Sequence, residues 1–203
     1  MNGGAFAIEV PQRLPGTRAV IRVCRKWSRR LALGAGLLAG SGTLAGCDDQ
    51  TAVEQRLENA RVLVQQGDTR LAIAELKHAL QQAPEDADLR LMLGQLYLGR
   101  GDLPYAEKEL NRAKALGLES PELMLALGDL WLRQNHEAQL LAGLAPHRGW
   151  PEAAQAAALG LRARAYLRLD DPQRARSAYQ AILELEPDSI DARIGLVRLA
   201  MRA

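Results

Sequence analysis

The sequence predicts an all-α stack of helical hairpins, and three columns of residues predict it. From Ala60 onward the chain repeats at intervals of 34 or 35 residues, with Ala60, Gly94, Gly128, Ala163 and Val197 in one column. Three residues later a second column reads Leu63, Tyr97, Trp131, Tyr166 and Ala200, and a third reads Gly67, Gly101, Asn135 and Asp170. A fixed period of this length marks one supersecondary unit stacked on the next, so that each unit buries the face its neighbour leaves open.

Counted from Val53, Ala87, Pro121, Ala156 and Ile190, each unit reads as a helix, a tight turn and a second helix. In the second helices, Ala72, Ala106 and Ala175 stand where two backbones must approach closely. Leu76, Leu110, Leu144 and Tyr179 lie one turn further along the same face and fill the gap to the next hairpin. Pro84 and Pro187 close the first and fourth units, since proline lacks the amide proton a continuing helix needs. The third unit departs from the pattern: Leu140 replaces the small residue, Pro146 cuts the second helix short, and the connector His147 to Pro151 adds one residue. That loop is expected to be either a hinge or contact site, or a tolerated insertion packed by Trp150. The fifth unit, Asp191 to Ala203, offers only a first helix, whose Ile194, Val197 and Met201 have no second helix to cover them. The chain is thus expected to be a truncated or split array, or to dock end to end through this helix.

At Leu93-Gly94-x-x-Tyr97, Ala106, Leu110 and Ala113 the sequence resembles the tetratricopeptide repeat. The resemblance covers about four and a half units from Val53 to Ala203. It implies a right-handed superhelix, an α-solenoid whose first helices line a groove for protein partners.

The first 46 residues read differently. Arg25-Lys26-Trp27-Ser28-Arg29-Arg30 precedes an uncharged run from Leu31 to Ala45, too short for a comfortable membrane span and ending in small residues. This is the composition of a secretory signal. Glycines at 34, 36, 40, 42 and 46 would make a poor helix interior for a soluble domain. Leu44-Ala45-Gly46-Cys47 resembles the lipobox of bacterial lipoproteins, which implies cleavage before Cys47 and acyl chains on that cysteine. Such chains hold a protein at a membrane without a spanning helix. The expected domains are therefore 1–46 as signal, 47–52 as lipid anchor and short linker, and 53–203 as the repeats. A positive segment reaching back to Met1 is long for a signal, which points to translation starting near Val20 or Val23. Arg29-Arg30 is a loose match to twin-arginine export, and ordinary secretion fits better.

Cleavage would also change the charge. The chain holds 26 basic and 24 acidic side chains; removing the seven and one in residues 1–46 leaves 19 against 23, a net −4. That balance argues against nucleic-acid binding, which needs a surplus of Lys and Arg to displace counterions. Neither cysteine would remain as a free thiol, because Cys24 lies before the cut and Cys47 carries lipid.

Catalysis, metal binding and a cofactor are not expected. His78, His136 and His147 fall on a second helix, in a turn and in the connector, with no pair at helical ligand spacing. Asp48-Asp49 and Asp170-Asp171 fit solvation or capping, and no phosphate loop or Ser-His-Asp arrangement is present. In the repeat family that the chain resembles, unit positions 2, 5, 9, 12 and 13 point into the groove. Position 9 reads Arg61, Gln95, Asp129, Arg164 and Arg198, and position 13 includes Arg133, Arg168 and Arg202. Basic residues thus gather toward the C-terminal end. Two readings stand side by side: these arginines grip an acidic segment or terminal carboxylate of a partner, or they pair with acidic groups on adjacent helices.

Gly67-Asp68-x-x-x-Ala72-x-x-Glu75-Leu76-Lys77, Leu93-Gly94-x-Leu96-Tyr97-Leu98-x-x-Gly101-Asp102 and Ala106-Glu107-Lys108-Glu109-Leu110 resemble the opening repeats of the tetratricopeptide lipoproteins of the PEP-CTERM/exosortase system. Cys47-Asp48-Asp49 just before the first repeat, and Leu183-x-Leu185-x-Pro187-Asp188-Ser189, are similar as well. The resemblance implies a lipid-anchored scaffold on the periplasmic side, serving exopolysaccharide biosynthesis or export and protein sorting. Lipoproteins of type IV pilus or outer-membrane assembly are the alternative. Asp48 after the lipidated residue resembles an inner-membrane retention signal, which tilts the location toward that membrane.

Overall fold

Leu- and Ala-rich amphipathic runs, punctuated by Gly, Asn, Asp and Pro, become nine helices and no strand among the described residues, 46–201, of the computed structural model. In order they are α1 (Gly46–Gln65), α2 (Thr69–Gln82), α3 (Ala87–Arg100), α4 (Leu103–Ala115), α5 (Pro121–Arg133), α6 (Glu137–Gly143), α7 (Glu152–Arg168), α8 (Pro172–Leu185) and α9 (Ile190–Ala200). Residues 1–45 of the expected signal, and Arg202, lie outside the described residues.

The turn inside each hairpin is the same device four times. Gly67, Gly101, Asn135 and Asp170 all adopt positive φ, at 84°, 82°, 59° and 55°. Each sits just past the end of a first helix and donates its amide to a carbonyl three residues back, Val64, Leu98, Leu132 or Leu167. The next amide, of Asp68, Asp102, His136 or Asp171, donates to Leu63, Tyr97, Trp131 or Tyr166, at 2.8–2.9 Å. This paired closure satisfies carbonyls that a helix end leaves open. The second and third sequence columns are therefore the two ends of one hydrogen-bonded turn.

Helices α1 and α2, α3 and α4, α5 and α6, and α7 and α8 pack as hairpins, and α9 packs on α8. Ala72, Ala106, Ala175, Leu76, Leu110 and Leu144 are fully buried, and Tyr179 nearly so. The approach is close at the first column too: a Cβ added to Gly128 would lie 2.6 Å from Leu144. Helix α7 divides the core. Its Ala158, Leu161 and Ala165 join the apolar cluster that begins at Val53, while Ala156 and Ala163, on its opposite side, join the cluster shared with α8 and α9.

Caps follow the sequence closely. Asp86 accepts from the amides of Asp88 and Leu89 at 3.0 Å, Ser120 from Leu123 at 3.2 Å, and Asp171 from Arg174 at 3.0 Å. Each satisfies open donors at a helix start. Helices α2 and α8 end before Pro84 and Pro187, and α6 has only seven residues before Pro146.

Three features differ from the period. Helix α1 begins at Gly46, so residues 47–52, read as anchor and linker, run within a helix. Helix α7 begins at Glu152, four residues ahead of Ala156, because Pro151 at φ −53° feeds an alanine-rich run of high helix propensity. Val197, fifth in the column of buried small residues, is 58% exposed because no later helix among the described residues packs on it. In the connector, Trp150 is partly buried against the core, as the packed-insertion reading expects.

Candidate protein-binding face

The first helices α1, α3, α5, α7 and α9 carry the residues singled out by sequence, and hydrogen bonding sorts them into two kinds. Arg133 on α5 donates to the Leu98 carbonyl at the end of α3 at 3.0 Å and pairs with Asp129 at 2.9 Å. Arg168 on α7 repeats the move one unit later. It donates to the Leu132 carbonyl at the end of α5, to Asn135 Oδ1 at 3.1 Å and to Glu137 at 3.2 Å. Both therefore staple the turn of the preceding hairpin. Arg61 pairs at 3.4 Å with Glu58 on its own helix, an exposed contact of small energetic weight.

Arg164 and Arg198 behave otherwise. Each is exposed, and among the described residues neither makes a hydrogen bond or ion pair. They occupy equivalent places in successive units, and both lie near enough to the Tyr179 hydroxyl to act on it. Burial raises the pKa of Tyr179, Arg164 and then Arg198 oppose that rise, and Asp191 adds to it. Gln95 is partly buried on α3, and the side chain of Cys47, in the first turn of α1, lies outside the described residues.

Glu137 shows the other electrostatic perturbation. Its pKa is lowered, most by a hydrogen bond from its own backbone amide at the start of α6, then by the Arg168 hydrogen bond and charge and by His136, against a rise from burial. Arg168 thereby ties α7 to the first turn of α6.

Sequence reasoning missed a second set of arginines. Arg56 pairs with Glu75 at 3.0 Å, and Arg90 with Glu109 at 2.7 Å. Both arginines recur 34 residues apart, and so do both glutamates, so the ladder was visible in the spacing. Arg90 also donates to the Pro84 carbonyl and Arg193 to the Pro187 carbonyl, each six residues after a unit-closing proline. Arg162 donates to the carbonyls of Leu141 and Leu144, capping the shortened α6. The Arg–Glu spacing names both partners in the sequence, whereas a carbonyl acceptor belongs to no particular residue type.

The three histidines are exposed, and His147 Nδ1 accepts from the Gly149 amide at 3.0 Å. Among the described residues no group of three His, Cys, Asp or Glu side chains could hold a metal ion, and no helix is long and apolar enough to cross a membrane.

Two tetratricopeptide repeat family models match the chain, over residues 63–130 and 148–199. The repeats are tetratricopeptide repeats. The stretch between the two matches, 131–147, is where α6 is cut short and the connector begins. Among solved structures, a tetratricopeptide repeat protein from Parabacteroides merdae is 21% identical with TM-score 0.60, over 73% of this chain and 59% of that one. PilF of Pseudomonas aeruginosa is 16% identical with TM-score 0.66, over 76% of this chain and 70% of PilF. MamA is 18% identical with TM-score 0.62, over 74% of this chain and 81% of MamA. At such identities the likeness concerns the fold, a tetratricopeptide α-solenoid. The chain spans less than two thirds of the length of the P. merdae protein. No curated protein matches it.

Proposed function

We propose that this tetratricopeptide chain is a lipid-anchored, non-catalytic scaffold that captures a protein partner through an acidic segment laid on its first-helix face. The observation that carries the reading is the uncommitted pair Arg164 and Arg198, in register on successive units, while Arg133 and Arg168 are held by their own structure. A guanidinium free of internal partners keeps both edges of its donor fork for a carboxylate. The tether rests on Leu44-Ala45-Gly46-Cys47, which gives a periplasm-facing lipoprotein, with Asp48 favouring the inner membrane. The sequence resemblance supports a place in exopolysaccharide biosynthesis or export and PEP-CTERM protein sorting. The match of fold to PilF supports a second reading, a lipoprotein of type IV pilus or outer-membrane assembly.

Capture from envelope extract tests the face. Relative to the wild type, Arg164→Glu is expected to lose the acidic partner about tenfold or more, and Arg61→Glu, whose arginine is already paired, is expected to retain it; equal capture by the wild type and both variants would leave the face without this role. Labelling with a fatty-acid probe tests the tether, and Cys47→Ala should abolish incorporation. Genetic deletion of polysaccharide-export or pilus functions separates the two pathways by which loss phenotype the chain shares.

A further inference from the structure

Helix α9 is apolar on two opposite sides. Ala192, Gly195 and Leu199 are buried, and Gly195 sits so close to Tyr179 that an added Cβ would lie 2.5 Å from its ring. Across the helix, Ile190, Ile194, Val197 and Met201 are all exposed. At about 100° per residue these four fall in one narrow stripe opposite the packed one. In every earlier unit the residue at the place of Val197 is buried, as Ala60, Gly94, Gly128 and Ala163 are, so this register is one that meets another helix. The spacing of four, three and four residues is that of a two-helix seam.

The flanks of the stripe select what covers it. Asp191 and Arg198 stand on one flank, both exposed, and neither is in an ion pair among the described residues. Arg193 and Ala200 stand on the other. When two such helices run antiparallel, like flanks meet, so Asp191 of each copy faces Arg198 of the other and Arg193 faces Ala200. A parallel pairing sets Arg193 against Arg198, which repels. The outward face at the opposite end of the stack, on α1, exposes Gln55, Glu58 and Val62, too polar to take the stripe head to tail.

We propose that a second copy of this chain covers α9, joined antiparallel by the Ile190, Ile194, Val197 and Met201 seam and by two reciprocal Asp191–Arg198 ion pairs. The proposal does not rest on capture of an acidic segment. Arg198 belongs to both surfaces, whereas Arg164 lies outside the seam and serves the acidic-segment face alone, so Arg164→Glu tells the two apart.

Co-expression of two differently tagged full-length chains tests it by co-capture, with helical content checked by circular dichroism. The wild type is expected to co-capture. Val197→Asp, Asp191→Arg and Arg198→Asp should each reduce co-capture about fivefold or more, while Asp191→Arg with Arg198→Asp in one chain should restore it to within about twofold, because the pairs re-form with their signs exchanged. Arg164→Glu should leave it unchanged. Absence of wild-type co-capture, indifference to Val197→Asp or to either single charge reversal, or a double reversal as weak as the single ones would each overturn the antiparallel dimer.

Discussion

At Gly101 the backbone conformation alone sets the residue. Its φ is 82°, and a Cβ added there would meet nothing within 4 Å. Gly101→Ala is therefore expected to cost about 1 kcal/mol through the left-handed backbone and not through packing, read as a shift in chemical denaturation. Asn135 and Asp170 hold the same place in later units because short polar side chains enter that region more easily than others. Tyr179 makes a second test at this scale. Its pKa is raised by burial, so the folded chain keeps the phenolic proton where the unfolded chain has lost it. The stabilisation is complete below the ordinary tyrosine value near pH 10 and declines as pH climbs through the folded value. Tyr179→Phe should flatten that alkaline decline in unfolding free energy. Arg164→Gln should push the tyrosinate absorbance titration higher still.

The short helix α6 depends on its neighbours, since seven residues are too few to hold a helix in water unaided. Arg162 from α7 holds its C-terminal carbonyls and Arg168 holds Glu137 at its start. Arg168→Ala should lower hydrogen-exchange protection in α6. It should also move the Glu137 titration up toward the ordinary carboxylate value in an NMR pH series. Because that pKa is depressed in the folded chain, the stabilisation it brings is present above the ordinary value and is lost as acidification passes through the folded one. The shortening of α6 was legible in Leu140 and Pro146. Its repair by Arg162 was not, because the acceptors are backbone carbonyls that every residue possesses.

In the stack as a whole, each first helix is normally covered on both sides, by the preceding unit and by its own second helix. Among the described residues helix α9 packs chiefly on α8 and exposes an apolar stripe. Hydrogen exchange followed by mass spectrometry should find α9 the least protected of the complete-length helices, with α3 and α5 the most, and protection of α9 should rise with chain concentration. The array, the number of hairpins, the small-residue contacts and the irregular third unit were determined by the sequence itself. Those contacts recur with the same local backbone geometry, so the same residue types return at the same interval. Tertiary structure alone decided which arginines of the candidate face are engaged. Arg133 and Arg168 reach across units to carbonyl oxygens, while Arg164 and Arg198 find no such acceptor, and a long flexible side chain meeting an anonymous backbone atom leaves no pattern of letters to read.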